Sequence, residues 1–252
     1  MAFINIPQNS TSFQVQGTEQ NDVINDTAND NRRILGLGGD DLIRGYGGND
    51  ELYGNPGEDS VNGGLGNDSI YGGRDNDGLG GEEGDDLLFG NLGADVLTGS
   101  MGNDQLFGGR DNDYLSGGTG GDFLSGDLGF DILDGGFGND TLLLRDESAT
   151  NSFDYLENFI PGEDKIALGG GLSFRDLDIL TFRATGLDRT TVRSQFSPWT
   201  SNIDLFPEDF LVLRVRSSNR ILGLLNNRPS NNLSTGITLR QNSLSAADFI
   251  SV

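Results

Sequence analysis

From Gly36 to Leu143 one aliphatic side chain returns at every ninth position, embedded in glycine, aspartate and asparagine. These residues are Ile43, Leu52, Val61, Ile70, Leu79, Leu88, Leu97, Leu106, Leu115, Leu124, Leu133 and Leu142. A spacing of nine matches neither the 3.6-residue period of an amphipathic helix nor the simple alternation of a long strand. It is the mark of a repeat architecture in which each unit buries its apolar residue against the next. Twelve units, from GLGGDDLIR through GYGGNDELY to GGFGNDTLL, keep phase without an insertion. Position one is Gly and position six is Asp in all twelve, while position four is Gly in ten and Asp at Asp75 and Asp111. The first six residues read as turn chemistry, with glycine where positive φ or close backbone approach is needed. The last three predict a short strand whose middle residue points inward and whose neighbours point outward.

The nonamer GGxGxDxUx resembles the repeat of the RTX (haemolysin-type calcium-binding) family. That resemblance implies an all-β parallel β-roll, a solenoid with 18 residues per coil. Twelve repeats then give six coils stacked about 4.8 Å apart. Two degenerate units precede them, GTEQNDVIN and DTANDNRRIL at 17–35, and Asn31 falls near the place of the aspartate in the second. These are expected to bind weakly or to cap the roll. The expected organisation is a capping arm at 1–16, the degenerate repeats at 17–35, the calcium-binding roll at 36–143, and a small β-rich cap at 144–252.

Charge sharpens the picture. The protein's 252 residues carry 16 Lys and Arg against 39 Asp and Glu, and residues 36–143 hold 22 of the acids with three Arg, a net −19 of the total −23. Stacking places position-six carboxylates 18 residues apart in neighbouring loops, from Asp41/Asp59 to Asp122/Asp140. Two such charges about 5 Å apart cost about 0.8 kcal/mol in water and about 3 kcal/mol at an effective dielectric of 20. Ten such pairs rival a whole domain's stability of about 5–15 kcal/mol, so a cation is required between the loops. Flexible glycine loops rich in carbonyl oxygens favour Ca²⁺ over the tighter octahedron of Mg²⁺. The candidate side-chain ligands are Asp41, Asp50, Asp59, Asp68, Asp77, Asp86, Asp95, Asp104, Asp113, Asp122, Asp131 and Asp140. Candidate backbone carbonyls are those of Gly45, Gly48, Gly54, Gly57, Gly63, Gly66, Gly72, Gly81, Gly84, Gly90, Gly93, Gly99, Gly102, Gly108, Gly117 and Gly120. About ten Ca²⁺ ions would bring +20 against −19, so metal binding and folding are expected to be one process. Asp75 and Asp111 either add ligands or pair with Arg74 and Arg110.

The even-numbered repeats place Tyr53, Tyr71, Phe89 and Phe107 in one outward column. It reads either as stacked cross-strand pairs or as an apolar strip that docks the C-terminal segment, a second copy or a polysaccharide. At the N-terminus Phe3, Ile4, Ile6, Phe13 and Val15 are placed to cover the first coil, since a solenoid exposes its core at each end. Strand patterns recur at Phe153–Phe159, Lys165–Leu168, Phe210–Val215, Ile221–Leu225 and Ile237–Leu239. FDYLENFIPGEDKIAL and the terminal LSAADFISV are similar to the segment that follows the repeats in serralysin-type RTX proteins, which caps the roll and carries a type I secretion signal. Asp248, Phe249, Ile250 and Val252 take those places. The stretch 183–209, with Arg183, Arg189, Arg193, Pro198 and Trp199, departs from that segment and reads as a solvent loop or an anionic-ligand contact.

The sequence contains no His and no Cys, which excludes Ser-His-Asp and Cys-His triads, HExxH zinc sites and thiolate-bound metals. No GxSxG occurs, and the chain is expected not to be an enzyme. Its acidity argues against nucleic acid, and no apolar run approaches the roughly 18 residues of a membrane helix. The first basic residue is Arg32, so the start lacks the charged region of a signal peptide, and export through the type I machinery is expected. The resulting expectation is an extracellular calcium-binding structural or adhesive protein of the bacterial surface or matrix, with a stand-alone carbohydrate-binding accessory module as the alternative.

Overall fold

A computed structural model describes residues 1–7, 13–145, 153–183, 209–215, 221–226 and 246–252. The nine-residue pattern builds an all-β parallel solenoid of about eight coils with almost no helix. Strands β1 (Phe3–Ile6), β3 (Val23–Asp26) and β5 (Leu42–Gly47) begin one sheet, and β2 (Gln14–Gln16), β4 (Arg33–Leu35) and β6 (Glu51–Pro56) begin the other. Successive units alternate between the two sheets, so each strand pairs in parallel with the one 18 residues on, as Leu52 with Ile70 and Leu88 with Leu106. Between the sheets lie the position-eight aliphatics, none of the twelve more than 3% exposed.

The strands from Leu42–Gly47 to Ile132–Gly138 are six or seven residues long rather than three, because each runs past its own unit through positions one to three of the next. The sequence pattern hides this extension, since those positions carry glycine and polar residues. At position two all twelve residues take positive φ, including the non-glycine residues Leu37, Tyr46, Asn55, Glu82, Asn91, Ser100 and Asp127. The left-handed conformation bends the strand towards the next turn, and an L side chain there costs about 1–2 kcal/mol. Ser100 has a φ of 87°. Replacing Ser100 by Gly is therefore expected to raise stability by about 0.5–1 kcal/mol, after allowing for the freer unfolded chain. Thermal melting at fixed calcium reads this as a higher midpoint; a lower one would contradict it.

Both ends continue the roll. At the N-terminus β1 and β2 add a strand to each sheet, with Ile6 buried and Ile4 and Val15 packed against the core. Phe3 and Phe13 instead face outward, 71% and 69% exposed. After β16 (Thr141–Leu144), β17 (Asp154–Glu157) and β18 (Lys165–Leu168) extend the two sheets in register. The first sheet then ends in an antiparallel turn-back formed by β19 (Leu177–Arg183), β20 (Asp209–Val215) and β21 (Ile221–Asn226), with β21 on β17. The second ends with β22 (Phe249–Ser251) on β18. Leu144, Leu156, Ile166, Leu168, Leu225 and Phe249 carry the same apolar core through this region. Strands therefore stand at four of the five C-terminal segments expected from sequence, and Leu177–Arg183 and Phe249–Ser251 are added. Ile237–Leu239 lies outside the described residues, as do Arg189, Arg193, Pro198 and Trp199.

Candidate metal centre

Position six follows directly on the turn and precedes the strand, which turns its side chain under the loop. All twelve repeat aspartates, Asp41 to Asp140, are at most 3% exposed. Each offers Oδ1 to the backbone N–H of the residue at the same place one coil earlier, at 2.7–2.9 Å. Two ladders result, one through Asp41, Asp59, Asp77, Asp95, Asp113 and Asp131, the other through Asp50, Asp68, Asp86, Asp104, Asp122 and Asp140. The carboxylates alternate with amide donors instead of facing one another directly. In Asp41, Asp50, Asp59, Asp68, Asp77, Asp86, Asp95, Asp104, Asp113, Asp122 and Asp140, Oδ2 is buried and accepts no hydrogen bond from the protein. A buried carboxylate oxygen without a partner is costly, and eleven in register form a feature of the fold.

The glycines explain where those oxygens point. A Cβ at any position-one glycine from Gly36 to Gly135 would stand under 3.0 Å from Oδ2 of the aspartate in the same unit. At Gly45, Gly90 and Gly99 it would also meet the carbonyl oxygen of the position-one glycine one coil further on, at 2.6, 2.5 and 2.6 Å. Position one is thus held to glycine because carboxylate and carbonyl oxygens converge on the space beside it. Position four is held to glycine by stacking. Gly57, Gly66, Gly84, Gly93, Gly102, Gly120 and Gly138 have φ between 112° and 147° and sit against the carbonyl of the position-four residue 18 earlier. Asp75 and Asp111 occupy this place with φ of 73° and 75°. Among the described residues neither pairs with Arg74 or Arg110, so the alternative in which those arginines neutralise them is not the arrangement found.

Burial pushes these carboxyls upward, opposed by the amide each accepts and reinforced by neighbouring charge. Asp41, Asp86, Asp95 and Asp104 rise to about 6, Asp50, Asp59 and Asp122 to about 7, and Asp68 and Asp77 to about 8. Asp113, buried and next to the charge of Asp131, rises to about 10. Because these values lie above the ordinary 3.8, the metal-free fold holds more protons than the unfolded chain from about pH 4 to about pH 8. Its stability is present at low pH and is lost as pH rises through that window. In EGTA, circular dichroism is expected to show more β-structure at about pH 4.5 than at about pH 8. Equal or reversed signals would contradict this.

Sequence reasoning missed the ends of the ladders. Asp22 occupies the sixth place of GTEQNDVIN, a unit in which Gln20 replaces the glycine of position four. Its Oδ1 accepts from the Ala2 amide at 2.5 Å and its Oδ2 from the Thr18 amide and hydroxyl at 2.6 and 2.8 Å. The amide of Ala2 leads in holding Asp22 below the usual range. Asp164 accepts from the amides of Asp140 at 3.1 Å and Ile160 at 2.6 Å; an insertion after β16 hides it from the nine-residue count. Unlike the interior aspartates, both have each oxygen satisfied by the protein. In the second degenerate unit Arg32, not Asn31, stands at the aspartate's place, since the Arg32 amide donates to Asp50 Oδ1.

The donor set consists of oxygen alone. Among the described residues no group of three or more carboxylates converges, so each loop offers one carboxylate with carbonyls around it. This fits a hard cation taking many oxygens and fits neither zinc nor a redox metal.

On the outer face of the second sheet Tyr53, Tyr71, Phe89 and Phe107 stack with centroids 4.7, 5.2 and 5.0 Å apart and planes within 13°. The Arg33 guanidinium lies 5.1 Å from the Tyr53 centroid, and the Phe123 ring stands tilted 5.7 Å from Phe107. The rings cover one another's faces as cross-strand pairs and turn their edges outward.

The family model for the RTX calcium-binding nonapeptide repeat (4 copies) matches residues 33–61, 48–79, 80–115 and 116–145. A search of curated proteins finds no match. No helix among the described residues is long and apolar enough to cross a membrane.

Proposed function

We propose that this chain, whose central residues carry RTX calcium-binding repeats, is an extracellular structural or adhesive module that folds when calcium enters its loops. The observation that carries the reading is the row of eleven buried Oδ2 atoms without a protein donor. Those oxygens would hold the ions, about ten in number, together with the carbonyls of position-one glycines such as Gly54, Gly63 and Gly108 and of position-four glycines such as Gly66, Gly84 and Gly102. Bound calcium supplies the charge that lets stacked carboxylates stay ionised, so ordering of the roll follows calcium concentration. A cell interior poor in calcium keeps such a chain unfolded and fit for export, in keeping with the extracellular habit of RTX proteins; passage through the type I machinery belongs to this reading.

The module is read as non-enzymatic, which the lack of His and Cys supports. A structural or adhesive role is favoured over a carbohydrate-binding one because the aromatic column spends its ring faces on its own stack, whereas sugars pack on exposed ring faces. Weight-average mass measured against calcium concentration is the test. Assembly into larger species above the folding midpoint supports the structural reading, while a folded monomer that binds defined glycans on an array in calcium would replace it with the carbohydrate-binding one.

A further inference from the structure

The interior loops repeat one arrangement, glycine at position one and aspartate at position six. The loop from Asp26 to Arg32 reverses it. Strand register aligns Asn25 with Arg44 and Arg33 with Glu51, so Asp26 holds position one, where the repeats have no side chain, and Arg32 holds position six. Both side chains are buried, 0% and 2% exposed, and Arg32 Nε lies 2.7 Å from Asp26 Oδ2. Asp26 Oδ1 accepts the Ala28 amide at 2.9 Å, and the Arg32 amide continues the ladder to Asp50 at 2.8 Å. A carboxylate oxygen still sits beside the position-one backbone, as in the following loops, but here its counter-charge is covalently attached. A buried guanidinium needs such a partner, and its fixed positive charge is suited to the place.

We propose that the Asp26–Arg32 pair is a built-in substitute for a calcium ion, so that this loop takes no calcium and closes its end of the roll with charge from the chain itself. The proposal rests on the calcium reading above. It agrees with the other ladder end, where Asp22 is satisfied by Ala2 and Thr18 instead of presenting a bare oxygen. It also assigns Arg32 a role that a basic residue within a degenerate repeat would not otherwise suggest.

The test restores the repeat's residues at positions one and six with the double variant Asp26→Gly/Arg32→Asp in the full chain and counts bound calcium by equilibrium dialysis beside the wild type. One additional ion per chain in the folded variant is expected. A folded variant with the wild-type count overturns the proposal while leaving the calcium reading intact; absence of calcium from both proteins overturns the two together. Should the variant fail to fold, wild-type crystals grown in calcium decide. No ion beside Asp26, with ions in the loops of Asp59 and Asp77, is the expected result, and an ion coordinated by Asp26 is the contrary one.

Discussion

Chelation at about pH 8 is expected to remove most of the parallel-sheet signal and to expand the chain towards unfolded dimensions. Burial raises the interior carboxyls, Asp41 to about 6, Asp68 to about 8 and Asp113 to about 10 among them. At about pH 8, keeping the roll without metal means either holding protons that the solvent does not supply or burying charge beside charge. Each coil adds two aspartates but only two core aliphatics, and the glycines that build the turns lose the most backbone freedom on folding. A ligand bound only by the folded state adds about 2.7 kcal/mol per site at a hundredfold excess over its dissociation constant. Several sites acting together therefore make the difference between coil and roll. Circular dichroism and hydrodynamic radius, read through a calcium titration after EGTA, check this. A steep joint transition is expected, and a compact β-rich chain in excess EGTA at that pH would contradict it.

Gly120→Ala is expected to destabilise the calcium-loaded roll by about 4 kcal/mol or more, through backbone strain and steric overlap in the middle of the stack. Gly120 holds φ at 140°, and a Cβ there would overlap the carbonyl of Gly102 in the loop beneath. Neither can retreat, because the same contact repeats from Gly66 through Gly84 and Gly102 to Gly138. The adjacent Gly121 is the control. A Cβ on it would meet Asn103 Oδ1 at 3.3 Å and the Asn139 carbonyl at 3.4 Å, so Gly121→Ala is expected to cost less than about 1 kcal/mol. Chemical denaturation at fixed calcium separates the two, and similar midpoints for both variants would show that the loops are not tightly stacked.

Some features of this fold are legible in its sequence and others are not. Leu52, Ile70 and Leu88 announce the core because burial and period act on the same residue, and Asp59 or Asp77 stands out because nothing but aspartate fills its place. The φ of Tyr46 or Ser100 leaves no such trace, since position two accepts many side chains and merely strains them. Asp164 eludes the period because an insertion separates it from Asp140, although space restores the register. Arg32 is a different kind of miss: counting places Asn31 near the aspartate's position, and only the strand register identifies Arg32 as its replacement. The resemblance at Asp248 and Phe249 implies a cap that also carries an export signal; in the fold Phe249–Ser251 forms the last strand of the second sheet, with Phe249 opposite Ile166. Local pattern reports what each repeat needs, and the ends depend on contacts that pattern does not contain.

The most direct test is an anomalous-difference map from crystals grown in millimolar CaCl₂. About ten peaks are expected between successive loops, each about 2.3–2.6 Å from an interior aspartate oxygen and from several carbonyls. Loops without ions, with Oδ2 of Asp59, Asp77 and Asp104 bonded to protein or water alone, would contradict it.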